Sequence, residues 1–115
     1  MKNLNQFVRF DWDSFAEGKD FQVTCVKPWK DYQNQEKILG TVIEVFISQD
    51  LTHYITRDGS KVSNRGEKLS IKVPGSNLEV DIDDYVTPVN PVATVFGEYR
   101  NQLSVRADDI IVIKP

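Results

Sequence analysis

The sequence contains one histidine and one cysteine among its 115 residues. A single cysteine excludes an internal disulfide, and a lone imidazole excludes a metal centre built from several histidines. The sequence also lacks a Cys-x-x-Cys pair, a recognisable Ser-His-Asp set and a phosphate loop with GxxxxGK[ST] spacing. We therefore expect a protein that is not an enzyme and that needs no cofactor and no metal.

Long hydrophobic runs are absent as well. No stretch approaches the ~18 apolar residues of a membrane-spanning helix, and residues 1–15 lack the apolar core of a secretory signal. Cys25 lies in the alternating stretch FQVTCVK, where we expect a buried and inert thiol. These absences predict a cytoplasmic protein with no membrane partner and no small-molecule substrate.

The chain has no excess of positive charge either, because 14 basic residues stand against 17 acidic ones, for a net charge of −3. A protein that holds nucleic acid by bulk electrostatics has a pI above ~9. The charges are nevertheless segregated, with five cations against two carboxylates in residues 54–73 and four carboxylates without a cation in residues 78–84. Two functional faces and a solvated surface with chance clustering both account for this segregation.

What the sequence does contain, from Phe21 onward, is period-two alternation of apolar and polar residues, which predicts strands. The strands are FQVTCV, ILGTVIEVFISQ, EKLSIKV, LEVDI, VATVFGEYR and LSVRADDIIVI. Pro74, Pro88 and Pro91 disfavour a long helix between the third strand and the last two. The inward rows are predicted to be Thr41, Ile43, Val45 and Ile47 on the second strand and Leu69, Ile71 and Val73 on the third. The alternation predicts an all-β domain of six or seven strands.

Two tight turns are predicted. Asp58-Gly59 in YITRDGSKVS favours a type I′ turn, so that Tyr54, Thr56 and Lys61 share one face of a small projecting hairpin. The second turn, NQ at residues 101–102, joins the last two strands.

Residues 1–20 are predicted to form an N-terminal segment that packs on the rest of the chain. One helical turn is expected there, capped by Asp13 and ended by Gly18. Its four aromatic residues are expected to pack against the body, because exposed aromatic clusters are unusual: Phe7, Phe10, Trp12 and Phe15.

Residues 21–115 have the size and strand content of a small barrel or sandwich. Three features favour a five-stranded Greek-key barrel of the OB-fold type, with an extra β-hairpin and little helix. Gly40 lies inside the long second strand, where the strand must curl. The variable stretch KPWKDYQNQEK precedes that strand, and Gly97 marks a turned strand in the final hairpin.

The segment VNPVATVFGEYRNQLSVRADDIIVI, with its NPVAT…G…Y…L…ADDI spacing, and the segment NRGEKLSIKVPG resemble a known family. The family comprises small OB-fold, single-stranded-DNA-binding-like proteins of integrative and conjugative elements (conjugative transposons), including helicase processivity factors. The resemblance spans roughly residues 39–113. It implies a non-catalytic accessory protein that binds single-stranded DNA and assists DNA transfer or replication, with a helicase or relaxase as a possible partner. The chain departs from the family in lacking the usual helix between the third and fourth strands and in its acidic net charge.

In an OB barrel, the loop between the first two strands and the outer face of strands two and three form the ligand groove. Bases stack there on aromatic rings, at ~1–3 kcal/mol per base, while cations follow the phosphates. The predicted groove residues are aromatic or basic: Lys27, Trp29, Lys30 and Tyr32 in the loop, Phe46, Lys68 and Lys72 on the strand face, and Tyr54, Arg57, Lys61 and Arg65 on a nearby flap. Tyr99 and Arg100 are weaker candidates, and Arg106 is expected to point outward and pair with an acidic residue.

Each of these residues also has a simpler interpretation. Trp29 and Tyr32 are equally consistent with folding over one end of the barrel, Phe46 with a core position and the lysines with ordinary surface. Adjacent carboxylates such as Asp83-Asp84 point to opposite faces of a strand, so turn and surface roles are expected for them. A second function class also stays open, namely an adaptor without appreciable DNA binding that docks a helicase, relaxase or other transfer protein, with EVDIDD as a contact.

Overall fold

The computed structural model describes residues 1–75 and 78–113. Over these residues the chain forms seven strands: β1 (Lys19–Lys30), β2 (Ile38–Asp50), β3 (Lys68–Val73), β4 (Tyr85–Val89), β5 (Val92–Phe96), β6 (Gln102–Arg106) and β7 (Asp109–Ile113). A 3-10 turn at Leu4–Phe7 and the short helix α1 (Trp12–Ala16) precede them. The all-β prediction is confirmed. Across the described ranges, no helix has both the length and the apolar character needed to cross a membrane.

The strands form one sheet in the order β5-β6-β3-β2-β1-β4-β7. All neighbouring strands are antiparallel except β3 and β6, which are parallel. Only residues 90–91 separate β4 from β5, and only residues 107–108 separate β6 from β7. These short breaks allow the chain to change neighbours, so that β4 pairs with β1 and β7 whereas β5 pairs with β6.

The core lies on one face of this sheet. The inward rows predicted for β2 and β3 are buried, including Thr41, Ile43 and Ile71. Burial of a large aliphatic side chain contributes about 1.5–3 kcal/mol, so these two rows account for much of the apolar stabilisation. Residues from the other strands complete the core: Phe21, Val23, Val86, Val105, Ala107 and Ile110.

Gly40 allows the start of β2 to pass close to the end of β3. A Cβ atom at this position would overlap the carbonyl oxygen of Val73 and crowd Pro74. The β1–β2 register also shifts here, since Trp29 pairs with Gly40 and Lys30 pairs with Ile38. The glycine predicted for a bend therefore serves a close backbone approach at a bulge.

The N-terminal segment packs through three of its four aromatic residues. Trp12 is buried and stacks on Phe21 with 5.3 Å between ring centroids, and Phe10 and Phe15 pack beside it. Phe7 is 72% exposed, so the prediction that it packs on the body is wrong.

The cap of α1 also differs from the prediction. The carboxylate of Asp11, not that of Asp13, accepts a hydrogen bond from the backbone nitrogen of Ser14 at 3.2 Å. Gly18 has a φ of 76° two residues after the helix, which agrees with its predicted role in ending it.

The hairpin predicted around Asp58-Gly59 does not form a ladder. In residues 51–67 the structure has turns but no strand. Gly59 has a φ of 74° whereas Asp58 is not in the left-handed region, so the turn is not type I′, which needs positive φ at both positions. The Thr56 hydroxyl donates to the Ser60 carbonyl at 2.9 Å and holds the turn.

Three further predictions of local structure are corrected. Residues 78–82 form no ladder, although Leu78 packs against the core.

The last hairpin closes at the pair Phe96–Gln102, so its turn spans residues 97–101 and includes Gly97 at a φ of 94°. A register shift between Val23 and Cys25 places Cys25 opposite Glu44, and its thiol is half-buried, not enclosed in the core.

Candidate nucleic-acid interface

The side of the sheet opposite the core carries an ordered surface on β1, β2, β3, β6 and β5, here called the outer face. The strand registers align its residues in three rows. The cationic row is Lys27, Val42, Lys72, Arg106 and Val92. The polar row is Cys25, Glu44, Ser70, Ser104 and Thr94. The aromatic row comprises two cross-strand pairs, Phe46 with Lys68 and Phe96 with Gln102. Consecutive rows are about 7 Å apart, because each is two residues further along the strands.

Trp29 lies over the cationic row. Its ring centroid is 5.6 Å from Lys72 Nζ and 5.3 Å from Arg106 Cζ. Both distances fall within the ~6 Å range of a cation–π contact. Lys72 and Arg106 are direct register partners on the parallel strands β3 and β6, so strand pairing brings both charges to the same ring.

The indole of Trp29 remains half-exposed beside these two cations. The residue belongs to β1 and not to the following loop, which corrects the predicted position. It does not fold over an end of the sheet to close the core. A partly exposed ring with two adjacent cations is the arrangement in which a nucleobase can stack while its phosphates are neutralised.

The polar row contains the one carboxylate of the three rows. Glu44 Oε1 lies 2.9 Å from Lys27 Nζ, with both side chains partly exposed. The hydrogen bond to Glu44 and the negative charge of its carboxylate raise the pKa of Lys27. Ser70 and Ser104, a register pair, follow Glu44 across β3 and β6.

The aromatic row borders a shallow groove of about 650 Å³, within the usual size of a ligand site. Its walls include polar, charged and aromatic residues: Glu44, Lys68, Ser70, Phe96, Asn101 and Gln102. A second hollow of about 430 Å³ shares Lys68 and Gln102 and extends towards Phe10 and Arg100. The groove therefore lies beside Lys68, Phe96 and Gln102 of the aromatic row.

Two predicted residues flank the loop between β1 and β2. Tyr32 is 94% exposed, so it does not cover the core, and Lys30 is exposed at the end of β1. The loop is closed by a bond from the Asp31 nitrogen to the Lys37 carbonyl at 2.9 Å. Neither Tyr32 nor Lys30 belongs to the three rows.

The residues predicted for a flap are dispersed. Arg57 and Lys61 are exposed in residues 51–67, outside the three rows. Arg65 precedes Gly66, which lines the groove beside the aromatic row. Tyr54 has a different position, because its hydroxyl donates to Asp50 Oδ2 at 2.8 Å and its ring is half-buried.

Tyr54 belongs to a buried polar network that was not predicted. Its centre is an ion pair between Lys19 Nζ and Asp50 Oδ1 at 3.3 Å, with both side chains fully buried. The ammonium also donates to the Phe15 carbonyl and the Thr52 hydroxyl, each at 2.7 Å. The network thereby joins the end of α1 to the start of β1 and the end of β2.

Asp50 also fixes both ends of the loop that follows β2. Its carboxylate accepts bonds from the backbone nitrogens of Thr52 at 3.1 Å and Asn64 at 2.8 Å, in addition to the bond from Tyr54. Burial alone would raise the pKa of Asp50. The hydrogen bonds from Asn64, Tyr54 and Thr52 outweigh that effect and hold this pKa well below its usual range.

Several residues of the outer face were not predicted as binding residues, namely Arg106, Phe96, Gln102 and the members of the polar row, Glu44 among them. Arg106 was expected to pair with an acidic residue, yet its guanidinium lies over Trp29. The parallel pairing of β3 with β6 brings Arg106 beside Lys72 and places β6 and β5 next to β3, and apolar alternation within a strand carries no information about which strands pair. The length of chain between β3 and the last two strands was the one feature of the sequence that bears on which strands pair.

The carboxylate pairs have the turn roles expected of them. The Asp81 nitrogen donates to Asp84 Oδ2 at 2.9 Å, and the Asn90 side chain donates to Asp108 Oδ2 at 3.1 Å. Within residues 1–75 and 78–113, no group of three or more His, Cys, Asp or Glu side chains is placed to hold a metal ion. Comparison of the chain with protein-family models, with curated proteins and with solved structures finds no match.

Proposed function

We propose that this protein binds single-stranded nucleic acid, with DNA as the expected ligand, on its outer face and performs no catalysis. The observation that carries the proposal is the half-exposed Trp29 ring with Lys72 and Arg106 within 6 Å of its centroid. Phe46 and Phe96 add ring surface, and Lys27 and Lys68 add positive charge on the same face. Rings and cations without a base-pairing code suit sequence-tolerant binding.

The strand pairing supports an OB-type barrel as the scaffold. If β4 with β5 and β6 with β7 each count as one bent strand, five strands remain. The first three then form a meander, the fourth pairs with the first, and the fifth runs parallel to the third. This is the Greek-key order of the OB-fold, in which the face of strands two and three binds oligonucleotides.

The free energies expected from base stacking favour weak binding. Three stacked bases contribute about 3–9 kcal/mol at ~1–3 kcal/mol each, and ~4 kcal/mol corresponds to millimolar and ~8 kcal/mol to micromolar dissociation constants. The net charge of −3 opposes long-range attraction of a polyanion. We therefore expect a micromolar to millimolar interaction, which is sufficient for a protein that acts beside a helicase or relaxase.

Fluorescence anisotropy with labelled single-stranded and duplex 12-mers across a salt series tests the proposal. Saturable binding of the single strand is expected, with weaker binding of the duplex. Each phosphate neutralised adds ~0.7 to the logarithmic salt slope for single strands, so the three cations Lys68, Lys72 and Arg106 give a slope of about −2. A flat response at low salt would contradict the proposal.

A second candidate function is an adaptor that docks a transfer protein of a conjugative element. The observation that favours it is the acidic turn at residues 81–84, where Ile82 is 61% exposed between the exposed carboxylates of Asp81 and Asp83. A pure adaptor would show no saturable DNA binding at low salt, and substitution of Ile82 by serine would then weaken partner binding.

A further inference from the structure

The polar row separates the two parts of the outer face that are suited to rings and phosphates. The cationic row with Trp29 lies on one side, and the aromatic row with Phe46 and Phe96 lies on the other. These two rows are about 13 Å apart along the strands, four residues at the usual rise, and the backbone of Trp29 is level with Gly40, beyond the cationic row. A base between them faces the polar row directly.

A carboxylate such as that of Glu44 is not expected on a surface that only holds phosphates. Its negative charge opposes a polyanion, and its carboxylate lines the groove beside Lys68 and Ser70. Its ion pair with Lys27 is exposed, and exposed ion pairs contribute little to folding. Stability therefore does not explain a carboxylate at this position.

The carboxylate has capacity for a second donor. The ion pair is made through Oε1, and an ionised carboxylate offers about four lone-pair sites on its two oxygens. Carboxylates accept from the exocyclic amino groups of bases, as Glu and Asp do from cytosine N4. Thymine presents a carbonyl oxygen at the equivalent position, which a carboxylate repels.

We propose that Glu44 reads the edge of a bound base and makes the protein prefer amino-bearing bases, such as cytosine, to thymine. This inference rests on the proposed function. The ion pair with Lys27 holds the Glu44 side chain in place, and Phe96, which lines the same groove, offers a ring on which the base can stack. Ser70 and Ser104, next along the row, supply hydroxyls that can donate to a base carbonyl.

Cytosine and thymine homopolymers separate this effect from stacking, because both are pyrimidines of similar ring size. We expect the wild-type protein to bind oligo-dC 12-mers about tenfold more tightly than oligo-dT 12-mers, the discrimination typical of a specific base contact. In the Glu44→Gln variant, the amide both donates and accepts. Affinity for oligo-dT should then rise towards that for oligo-dC and remove the preference.

Glu67→Gln is the matched control. Glu67 lines the same groove but lies outside the polar row, so its neutralisation removes one negative charge without removing the readout. Affinity for both homopolymers should increase by the same factor in this variant, and the preference for oligo-dC should persist.

The outcomes distinguish the two proposals. Saturable binding with equal affinity for oligo-dC and oligo-dT overturns the role of Glu44 and leaves the proposed function standing. Survival of the preference in Glu44→Gln likewise overturns that role alone. Absence of saturable binding to either homopolymer overturns the proposed function and this inference together.

Discussion

Lys72 and Arg106 are paired across the parallel strands β3 and β6, and both place their charge beside the ring of Trp29. The two residues are far apart in sequence, and the parallel pairing alone brings them together. Substitution of either cation by glutamine keeps a polar side chain and removes the charge. We expect each variant to lose single-strand affinity about three- to tenfold at low salt and to reduce the salt slope by ~0.7.

Lys61→Gln is the control for this prediction, because it makes the same charge change in residues 51–67, outside the three rows. Its affinity should stay within about twofold of the wild type, as the phosphate contacts lie elsewhere. Anisotropy titrations at three salt concentrations measure both quantities. Equal losses in Lys61→Gln and Arg106→Gln would show that binding responds to net charge and not to the outer face.

Removal of the Trp29 ring should weaken binding by about 1–3 kcal/mol, the value of one stacked base. The Trp12→Phe background helps the measurement, since the protein has two tryptophans and Trp12 is buried. In that background Trp29 is the sole tryptophan, and its fluorescence should be quenched on addition of a single strand. Tyr32→Ala serves as a comparison for the exposed loop. Unchanged single-strand affinity in Trp29→Ala would contradict the role of the Trp29 ring in binding, on which the proposed function rests.

The buried pair of Lys19 and Asp50 should be essential to stability. Loss of one partner leaves an uncompensated buried charge, so Asp50→Asn and Lys19→Met should each lower the free energy of unfolding by about 3–5 kcal/mol. The double variant should recover part of that loss, because no buried charge remains. Urea denaturation followed by circular dichroism measures the cycle. Additive losses in the double variant would show that the two side chains are not coupled.

The free energy of unfolding should also decrease at acidic pH, because the Asp50 carboxylate becomes protonated. Its pKa is lowered in the folded state, so the folded protein binds the proton less readily than the unfolded chain does. The contribution is fully present above the unfolded pKa of ~3.9 and is lost as pH falls through the lower folded pKa. Urea denaturation between pH 7 and pH 3 should show a smaller loss of stability in Asp50→Asn than in the wild type.

Gly40→Ala should destabilise the fold by about 1–3 kcal/mol, the usual cost of overpacking. The added methyl group overlaps the backbone of Val73 and Pro74, which cannot move as a flexible side chain can. Leu39→Ala provides the comparison at the adjacent, exposed position and should change stability much less. Unchanged stability in Gly40→Ala would mean that the start of β2 can withdraw from β3.

Alternation of apolar and polar residues predicted the features that depend on short stretches of sequence. Alternation identified the inward rows of β2 and β3, because the period of a strand is fixed by its pleat. The same rule failed at Cys25, where the extra residue of a bulge reverses the faces and alternation continues unchanged in the sequence. The outward direction of Phe46, Lys68 and Arg106 could be predicted, whereas the contact of Arg106 with Trp29 could not, since it depends on a pairing between distant strands.

The segment in which the hairpin was predicted is bound at both ends by Asp50. The Asp58-Gly59 pair favours a tight turn with paired strands, yet the Asp50 carboxylate accepts from both Thr52 and Asn64. These bonds draw the ends of the segment onto one buried side chain. The backbone between them forms turns and no ladder.

The arrangement around Trp29 also bears on synthesis of the protein. The indole is contributed by the first strand and the guanidinium of Arg106 by the sixth, so the two can meet only after every residue from 29 to 106 has been synthesised. Contacts of such long sequence separation form late and slowly. A chain that ends before Arg106 therefore lacks the contact between the guanidinium and the Trp29 ring, and we expect such a chain to bind a single strand less well.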